Sequence, residues 1–312
     1  MTQERFDSRV HPAGAVFGTW QAPDGWLCRR MDWPQPSGGR PRGNLLFTGG
    51  RGDFIEKYLE AFAYWHKQGW NVTAFDWRGQ GGSRGGIAAG RLDSLDVLVE
   101  DLAAFVDEWA PGGPGPHAAI GHSMGGHVLL RLLAERRPAL DAAVLVAPML
   151  MINSAPLPPW GAVWTAGLMS LFGWRNHPAW HQPITAPPAG SHRQTWLTGS
   201  PDRYEDELWW WEREPGYNLG APSWGWLEAA YRSCALLTPR KLAAVRVPVL
   251  LLGTERDRLV SPAAIRRAAA LIPGAELLMF KNSGHEILRE RDEVRLKALA
   301  RIDSFLETRV SR

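Results

Sequence analysis

The sequence predicts an α/β fold, a mostly parallel sheet with helices on both faces. Two observations predict it. Short apolar runs alternate along the chain with longer stretches of helical period, as in the strand–helix units that build a covered parallel sheet. Each apolar run is brief and bounded by Gly, Pro or polar residues, the mark of a strand buried on both faces. Composition agrees with a globular chain: of 312 residues, 45% are hydrophobic and 21% charged, against about 45–50% and about 25% in ordinary domains.

The strand-like runs occupy residues 44–48, 71–76, 117–121, 142–148, 247–253 and 276–281. Helical periods lie at residues 54–68, 95–109, 123–134, 262–271 and 291–307. In the second of these, Leu95, Leu98, Leu102, Phe105, Val106 and Trp109 share one face, the apolar stripe of a helix laid on a sheet. Between Pro148 and Val247 the rhythm stops. That segment holds no convincing parallel strand, but it holds ten of the 17 tryptophans and Pro156, Pro158 and Pro159. A structureless loop of that length is rare in a compact domain. An inserted helical subdomain is therefore expected over residues 151–240, with residues 1–150 and 241–312 forming the core. An insertion between two strands emerges at the carboxyl edge of the sheet, where open α/β folds bind ligands, so it is read as a lid. No charged residue occurs from Ala142 to Trp174. Indole suits both uses of a lid, packing a small core and roofing a cleft. Trp164, Trp210 and Trp224 are expected to line the pocket, with Trp77 at its rim.

Charge and cysteine content narrow the function. The chain has 35 Lys+Arg against 32 Asp+Glu, a net charge of +3, too weak a field to argue for a nucleic-acid partner. Two cysteines, Cys28 and Cys234, are too few for a disulfide scaffold. The first ten residues are polar and mixed in charge, and no clean apolar run of about 18 residues occurs, so a cytoplasmic protein is expected. The histidines lack H-E-x-x-H spacing, and neither a phosphate-binding loop nor G-x-G-x-x-G opens a helix. Neither a metal nor an organic cofactor is expected.

The chemistry-bearing motif is Gly121-His122-Ser123-Met124-Gly125, a G-x-S-x-G between a strand-like run and a helical one. A sharp strand-to-helix turn strains the serine backbone and pushes its hydroxyl into the cleft. The helix N-terminus then offers N–H groups to a developing oxyanion. A serine alcohol needs a base, and the base needs an orienting carboxylate. In this setting the chain order is Ser, then Asp or Glu, then His. His285, in Asn282-Ser283-Gly284-His285-Glu286, follows the last strand and is the candidate base, with Gly284 freeing the loop to turn. Asp257 follows the preceding strand and is the candidate acid, with Glu255 as the nearby alternative. His177, His181 and His192 lie in the insertion, and His122 and His127 flank the serine with no sequence partner that marks either as a base.

These residues resemble the α/β-hydrolases of the lysophospholipase and monoacylglycerol-lipase group, over residues 43–306. LLFTGGRGDFIEKY at residues 45–58 resembles the loop after that family's third strand. DWRGQGGS at residues 76–83 resembles its D-x-R-G-x-G-x-S signature, and NLGAPSWGWLEA at residues 218–229 a lid segment of bacterial members. The resemblance implies a helical lid inserted after the sixth strand and a triad of Ser123, Asp257 and His285. It also implies an oxyanion hole of backbone N–H groups from Met124 and Arg51, with Gly50 as the one-residue-off alternative. Part of the family opens this loop with His-Gly, whereas Gly49-Gly50-Arg51 stands here; a main-chain donor survives that change. The Arg51 side chain either holds the loop by pairing with an acid or reaches a phosphate-bearing head group. Asp76 and Arg78 are expected to brace the loops that carry the triad. The implied partner is a small-molecule acyl ester of the monoacyl-lipid class, with transient membrane-surface contact through the lid. Two further readings share the fold: a proline-iminopeptidase-like aminopeptidase, whose acidic cluster at residues 202–214 would bind an amino terminus, and a non-catalytic member that binds a small ligand.

Overall fold

The computed structural model describes residues 6–37, 39–85, 91–113, 115–181 and 187–310. Residues 1–5 of the polar N-terminal stretch and 182–186 of the insertion lie outside the described residues. Six strands correspond to the six expected runs: β3 (Gly43–Thr48), β4 (Trp70–Phe75), β5 (His117–His122), β6 (Ala142–Val146), β7 (Val249–Thr254) and β8 (Glu276–Phe280). They pair in parallel as β4-β3-β5-β6-β7-β8. Their side chains alternate between two apolar layers. Leu45 and Phe47, Val144 and Val146, and Leu250 and Leu252 enter one layer; Leu46, Ala143, Leu145, Val249 and Leu251 enter the other. Both faces are apolar, so these strands read as unbroken hydrophobic runs.

Helices α1 (Leu59–Lys67) and α10 (Asp292–Val310) cover the first layer, and α2 (Asp96–Trp109), α3 (Met124–Glu135) and α9 (Pro262–Leu271) the second. The helical period over residues 54–68 resolves into a 3₁₀ turn, Ile55–Tyr58, followed by α1.

Two strands precede the expected ones. β1 (Val16–Gln21) pairs antiparallel with β2 (Leu27–Trp33), and β2 pairs antiparallel with β4. The two are joined by Ala22-Pro23-Asp24-Gly25, in which the Gly25 N–H donates to the Ala22 carbonyl at 2.8 Å and Gly25 sits at φ 90°. Pro-Asp-Gly between two short runs is a turn signal with a mechanism, and it marks the hairpin that apolar periodicity alone misses.

Between β6 and β7, among the described residues, no strand joins the sheet. That segment instead forms α4 (Pro159–Met169), α5 (His192–Leu197), α6 (Pro201–Arg213), α7 (Trp224–Ala235) and α8 (Pro239–Leu242). It packs partly on the main core, through Trp226, Leu227, Ala229 and Ala230 of α7. A second small cluster joins it to the loop after β3, where Trp210, Trp211 and Tyr217 meet Phe54. Cys28 and Cys234 are both buried free thiols.

Candidate active site

Ser123 stands at the turn between β5 and α3 with φ 50° and ψ −114°, a conformation that costs a non-glycine residue about 1–3 kcal/mol. The surrounding backbone enforces it. The Ser123 N–H donates to the Val146 carbonyl at 2.9 Å, and the Ser123 carbonyl accepts from Met149 N–H and His127 N–H, each at 3.0 Å. The flanking glycines are required by close approach: a Cβ on Gly121 would lie 2.7 Å from the Gly126 backbone, and one on Gly125 would lie 2.4 Å from the Thr48 carbonyl oxygen. The motif spacing thus records how tightly β3, β5 and α3 converge.

His285 and Asp257 meet across the loops after β8 and β7. His285 Nδ1 lies 2.8 Å from Asp257 Oδ2, and the other carboxylate oxygen accepts from Leu259 N–H at 2.8 Å and Val260 N–H at 3.0 Å. Burial pushes the Asp257 carboxyl up, but the adjacent imidazole and the two backbone donors outweigh it and hold the pKa below the usual carboxylate range. Burial pulls the His285 imidazole down, but Asp257, with Glu286 and Asp53 behind it, leaves the net shift upward. Glu255, the alternative acid, points to solvent and pairs with Arg266. Gly284 does not act as a freely turning hinge. A Cβ there would lie 2.5 Å from the Leu197 carbonyl oxygen, so glycine lets the insertion press against this loop. His285 N–H donates to the Trp196 carbonyl at 2.9 Å and Glu286 N–H to that of Leu197 at 2.8 Å.

The loop after β3 is anchored by Asp53. Its Oδ2 accepts from Gly50 N–H at 2.6 Å and lies 2.8 Å from His122 Nδ1. Gly50 N–H is therefore occupied, whereas among the described residues the N–H groups of Arg51 and Met124 have no protein acceptor. His122 is the histidine under the turn, bound to Asp53 and to the Tyr58 hydroxyl at 2.8 Å.

Ser123, His285, Arg51 and His122 line one cavity of about 370 Å³, walled mostly by apolar groups such as Met149, Ile152, Leu219, Leu227 and Val260. That size suits a small-molecule site.

The family model described as serine aminopeptidase, S33, matches residues 39–292. The chain belongs to this family. Lysophospholipase L2 of Escherichia coli (strain K12) is 31% identical over 286 residues, which cover 84% of this chain and 79% of that protein. Monoglyceride lipase of Homo sapiens is 29% identical over 116 residues, 37% of this chain and 38% of that one. Among solved structures, a soluble variant of monoglyceride lipase from Saccharomyces cerevisiae in complex with a substrate analogue superposes with a TM-score of 0.74 at 18% identity. The match covers 97% of this chain and 99% of that chain. The fold is that of an α/β-hydrolase.

Within this α/β-hydrolase, the insertion departs from expectation in detail. Trp164 is 68% exposed on α4, and Trp210 is buried with its Nε1–H donating to the Ser8 carbonyl at 2.9 Å. Trp224 packs at the edge of the main core. None of the three lines the cavity; Trp180, Trp196, Trp211 and Trp226 do. Trp77 is likewise a core residue, donating to the Gly49 carbonyl at 2.8 Å beneath the loop after β3. Asp76 braces that loop region by accepting from Ile55 N–H at 2.9 Å, while Arg78 pairs with Asp101 and Asp24, away from the triad. The Arg51 side chain pairs with no acid among the described residues. Instead it donates to the Gly220 carbonyl of the insertion at 2.9 Å.

Proposed function

We propose that this ester hydrolase cleaves monoacyl lipid esters, of the lysophospholipase or monoacylglycerol-lipase type, through Ser123, His285 and Asp257. The observation that carries the reading is the buried His285–Asp257 pair at 2.8 Å beside a strained serine on the same apolar cavity. Asp257 occupies His285 Nδ1, which leaves Nε2 for the serine hydroxyl. Ser123 Oγ attacks the ester carbonyl while His285 takes its proton, and the backbone N–H groups of Arg51 and Met124 hold the oxyanion. His285 returns the proton to the leaving alcohol oxygen, and the acyl group stays on Ser123. Water then attacks the acyl-enzyme by the same route, with Asp257 stabilising the imidazolium in both halves. The names of the relatives and the apolar cavity wall support an acyl chain as the bound group.

Transient contact of the insertion, acting as a lid, with a membrane surface belongs to this reading. Trp160, Trp164, Leu171 and Phe172 are exposed within a stretch free of charge. Among the described residues no helix is long and apolar enough to cross a membrane, so contact rather than insertion is proposed. A cytoplasmic location is part of the same proposal.

The aminopeptidase reading draws on the family description but lacks a receptor for an amine. The acids at residues 202–214 do not line the cavity, and Glu207 is held by Lys57, Arg193 and Arg289. The carboxylates that do line it, Asp53 and Glu286, flank Lys57 at 2.8 and 2.6 Å.

The test is covalent labelling by a fluorophosphonate, followed by hydrolysis profiles over lysophospholipids, monoacylglycerols and aminoacyl amides. Labelling of Ser123 and preference for the monoacyl lipids are expected, with label and turnover both lost in folded Ser123→Ala. Faster turnover of aminoacyl amides would overturn the ester assignment.

A further inference from the structure

Among the described residues, three Lys and Arg side chains line the cavity: Arg51, Lys57 and Arg193. Two of them are neutralised. Lys57 Nζ lies 2.8 Å from Asp53, 2.6 Å from Glu286 and 3.4 Å from Glu207, and Arg193 lies 2.6 Å from Glu207. Arg51 has no carboxylate partner among the described residues. Its Nη1 is taken by the Gly220 carbonyl at 2.9 Å, and its guanidinium lies 5.2 Å from the Trp226 ring centroid. Its Nε is sealed from solvent with no acceptor. Burial without a compensating charge pulls its pKa down to about 10, which still leaves it protonated at neutral pH. A partly buried cation without an opposing charge is costly, and departures of this kind cluster where a ligand supplies what the chain omits.

We propose that Arg51 is the anion subsite of this cavity and selects the phosphodiester of a monoacyl glycerophospholipid over an uncharged glyceride. The inference rests on the ester-hydrolase reading above. In such a lipid the phosphate belongs to the leaving alcohol, a few bonds from the cleaved ester oxygen. Arg51 contributes a backbone N–H to the oxyanion, so its side chain starts beside the reacting carbonyl and runs along the cavity wall toward the insertion. Among the described residues the Nε of the guanidinium has no protein acceptor, and an arginine edge matches phosphate oxygens in paired hydrogen bonds. Gly220 and Trp226 hold the fork in place beforehand, which lowers the ordering cost of binding.

The test compares wild type, Arg51→Met and Arg51→Lys on two substrates with the same acyl chain in the same mixed micelles: 1-oleoyl-lysophosphatidylglycerol and 1-monooleoylglycerol. The readout is the ratio of their kcat/KM values, which cancels any damage to the oxyanion loop common to both. The ratio is expected to fall about 10- to 100-fold in Arg51→Met, the range for a charge-assisted hydrogen bond, and to recover in part in Arg51→Lys. An uncleavable ether lysophosphatidylglycerol should inhibit p-nitrophenyl butyrate turnover by the wild type more strongly than the matching alkylglycerol. That advantage should vanish in Arg51→Met, while inhibition by oleate stays unchanged. A constant kcat/KM ratio overturns the proposal. Oleate inhibition that weakens in step with the ether lipid also overturns it, because the cation would then serve the fatty-acid product. If Arg51→Met does not fold, equal inhibition of the wild type by the two ether lipids overturns it. A wild type that turns over p-nitrophenyl butyrate but neither lipid defeats the monoacyl-lipid reading itself, and the Arg51 assignment with it.

Discussion

On the sheet side of the cavity, each site residue is held by backbone close at hand. Ser123 is fixed by Val146 and Met149, and Asp257 by the N–H groups two and three residues on. On the insertion side, the contacts come from far along the chain. Trp226 lies under Arg51, Glu207 sits among Lys57, Arg193 and Arg289, and the Trp196 carbonyl receives His285 N–H. Local backbone geometry therefore sets Ser123 and Asp257, the proposed nucleophile and acid, while long-range packing sets the roof and part of the orientation of His285, the proposed base. Damage on the two sides should differ in kind: loss of chemistry on the first, loss of stability and selectivity on the second.

The largest effect is expected at Asp257. Asp257→Asn should lower kcat by about 10⁴-fold while the protein stays folded, because the imidazole loses its orienting and charge-stabilising partner. The pH profile gives an independent check. The proposed mechanism needs neutral His285, and its pKa is raised in the fold, so kcat/KM should fall as pH drops through a value above the ordinary imidazole pKa of about 6.5. In the variant that acid limb should move to lower pH. An acid limb that stays put would remove Asp257 from its role.

Glu207 tests the other side. Burial pushes its carboxyl up, but Arg193, Lys57 and Arg289 outweigh it and bring the pKa to about 2. A folded-state pKa below the ordinary glutamate value means that the stabilisation is present above about 4.5. It is lost as pH falls from there toward about 2. Glu207→Gln should cost about 3–5 kcal/mol at neutral pH by stranding buried cations. Urea midpoints between pH 3 and 7 should then show a shallower acid decline than wild type. Equal stability at neutral pH would mean that the network contributes nothing net to the union of insertion and core.

Gly284 lies where the two sides touch. Gly284→Ala must displace either the His285 loop or the Leu197 carbonyl, 2.5 Å from the new Cβ. A shift of the base of about 1 Å is expected to cost on the order of 10²-fold in kcat, with Ser123 still open to fluorophosphonate. Wild-type kcat would show that the insertion does not set the position of His285.

The same division explains what was legible in the sequence. Ser123, Asp257 and His285 each follow a strand in a short recognisable segment, and the glycines around Ser123 are dictated by contacts that the motif encodes. The six parallel strands were legible because burial on both faces makes them plainly apolar. The β1–β2 hairpin was not, since Val16 and Leu27 are exposed while Arg29, Arg30 and Asp32 share its second strand. The outward position of Trp164 was illegible for a stronger reason. Helix α4 carries no charge and is apolar on every side, so its sequence has no polar face to mark the outside. Ala162 and Ala166 turn inward, and α4 packs on α7 through its small residues.

Trp164 carries the smallest expected effect on the fold and the sharpest separation of the two uses of indole in the insertion. It lies on the outer stripe of α4 with Trp160, 68% and 70% exposed, while Trp226 is buried against the core and beneath Arg51. Trp226→Ala should cost about 3–5 kcal/mol, as truncating a buried indole does. Trp164→Ala should stay within about 0.5 kcal/mol, as surface changes do, yet weaken binding to phospholipid vesicles in a sedimentation assay. The lost affinity should be insensitive to salt, because the stretch holding Trp164 has no charge to screen. A destabilised Trp164→Ala would mean that this ring is packed rather than presented. A stable variant with wild-type vesicle binding would take the outer stripe of α4 out of membrane contact.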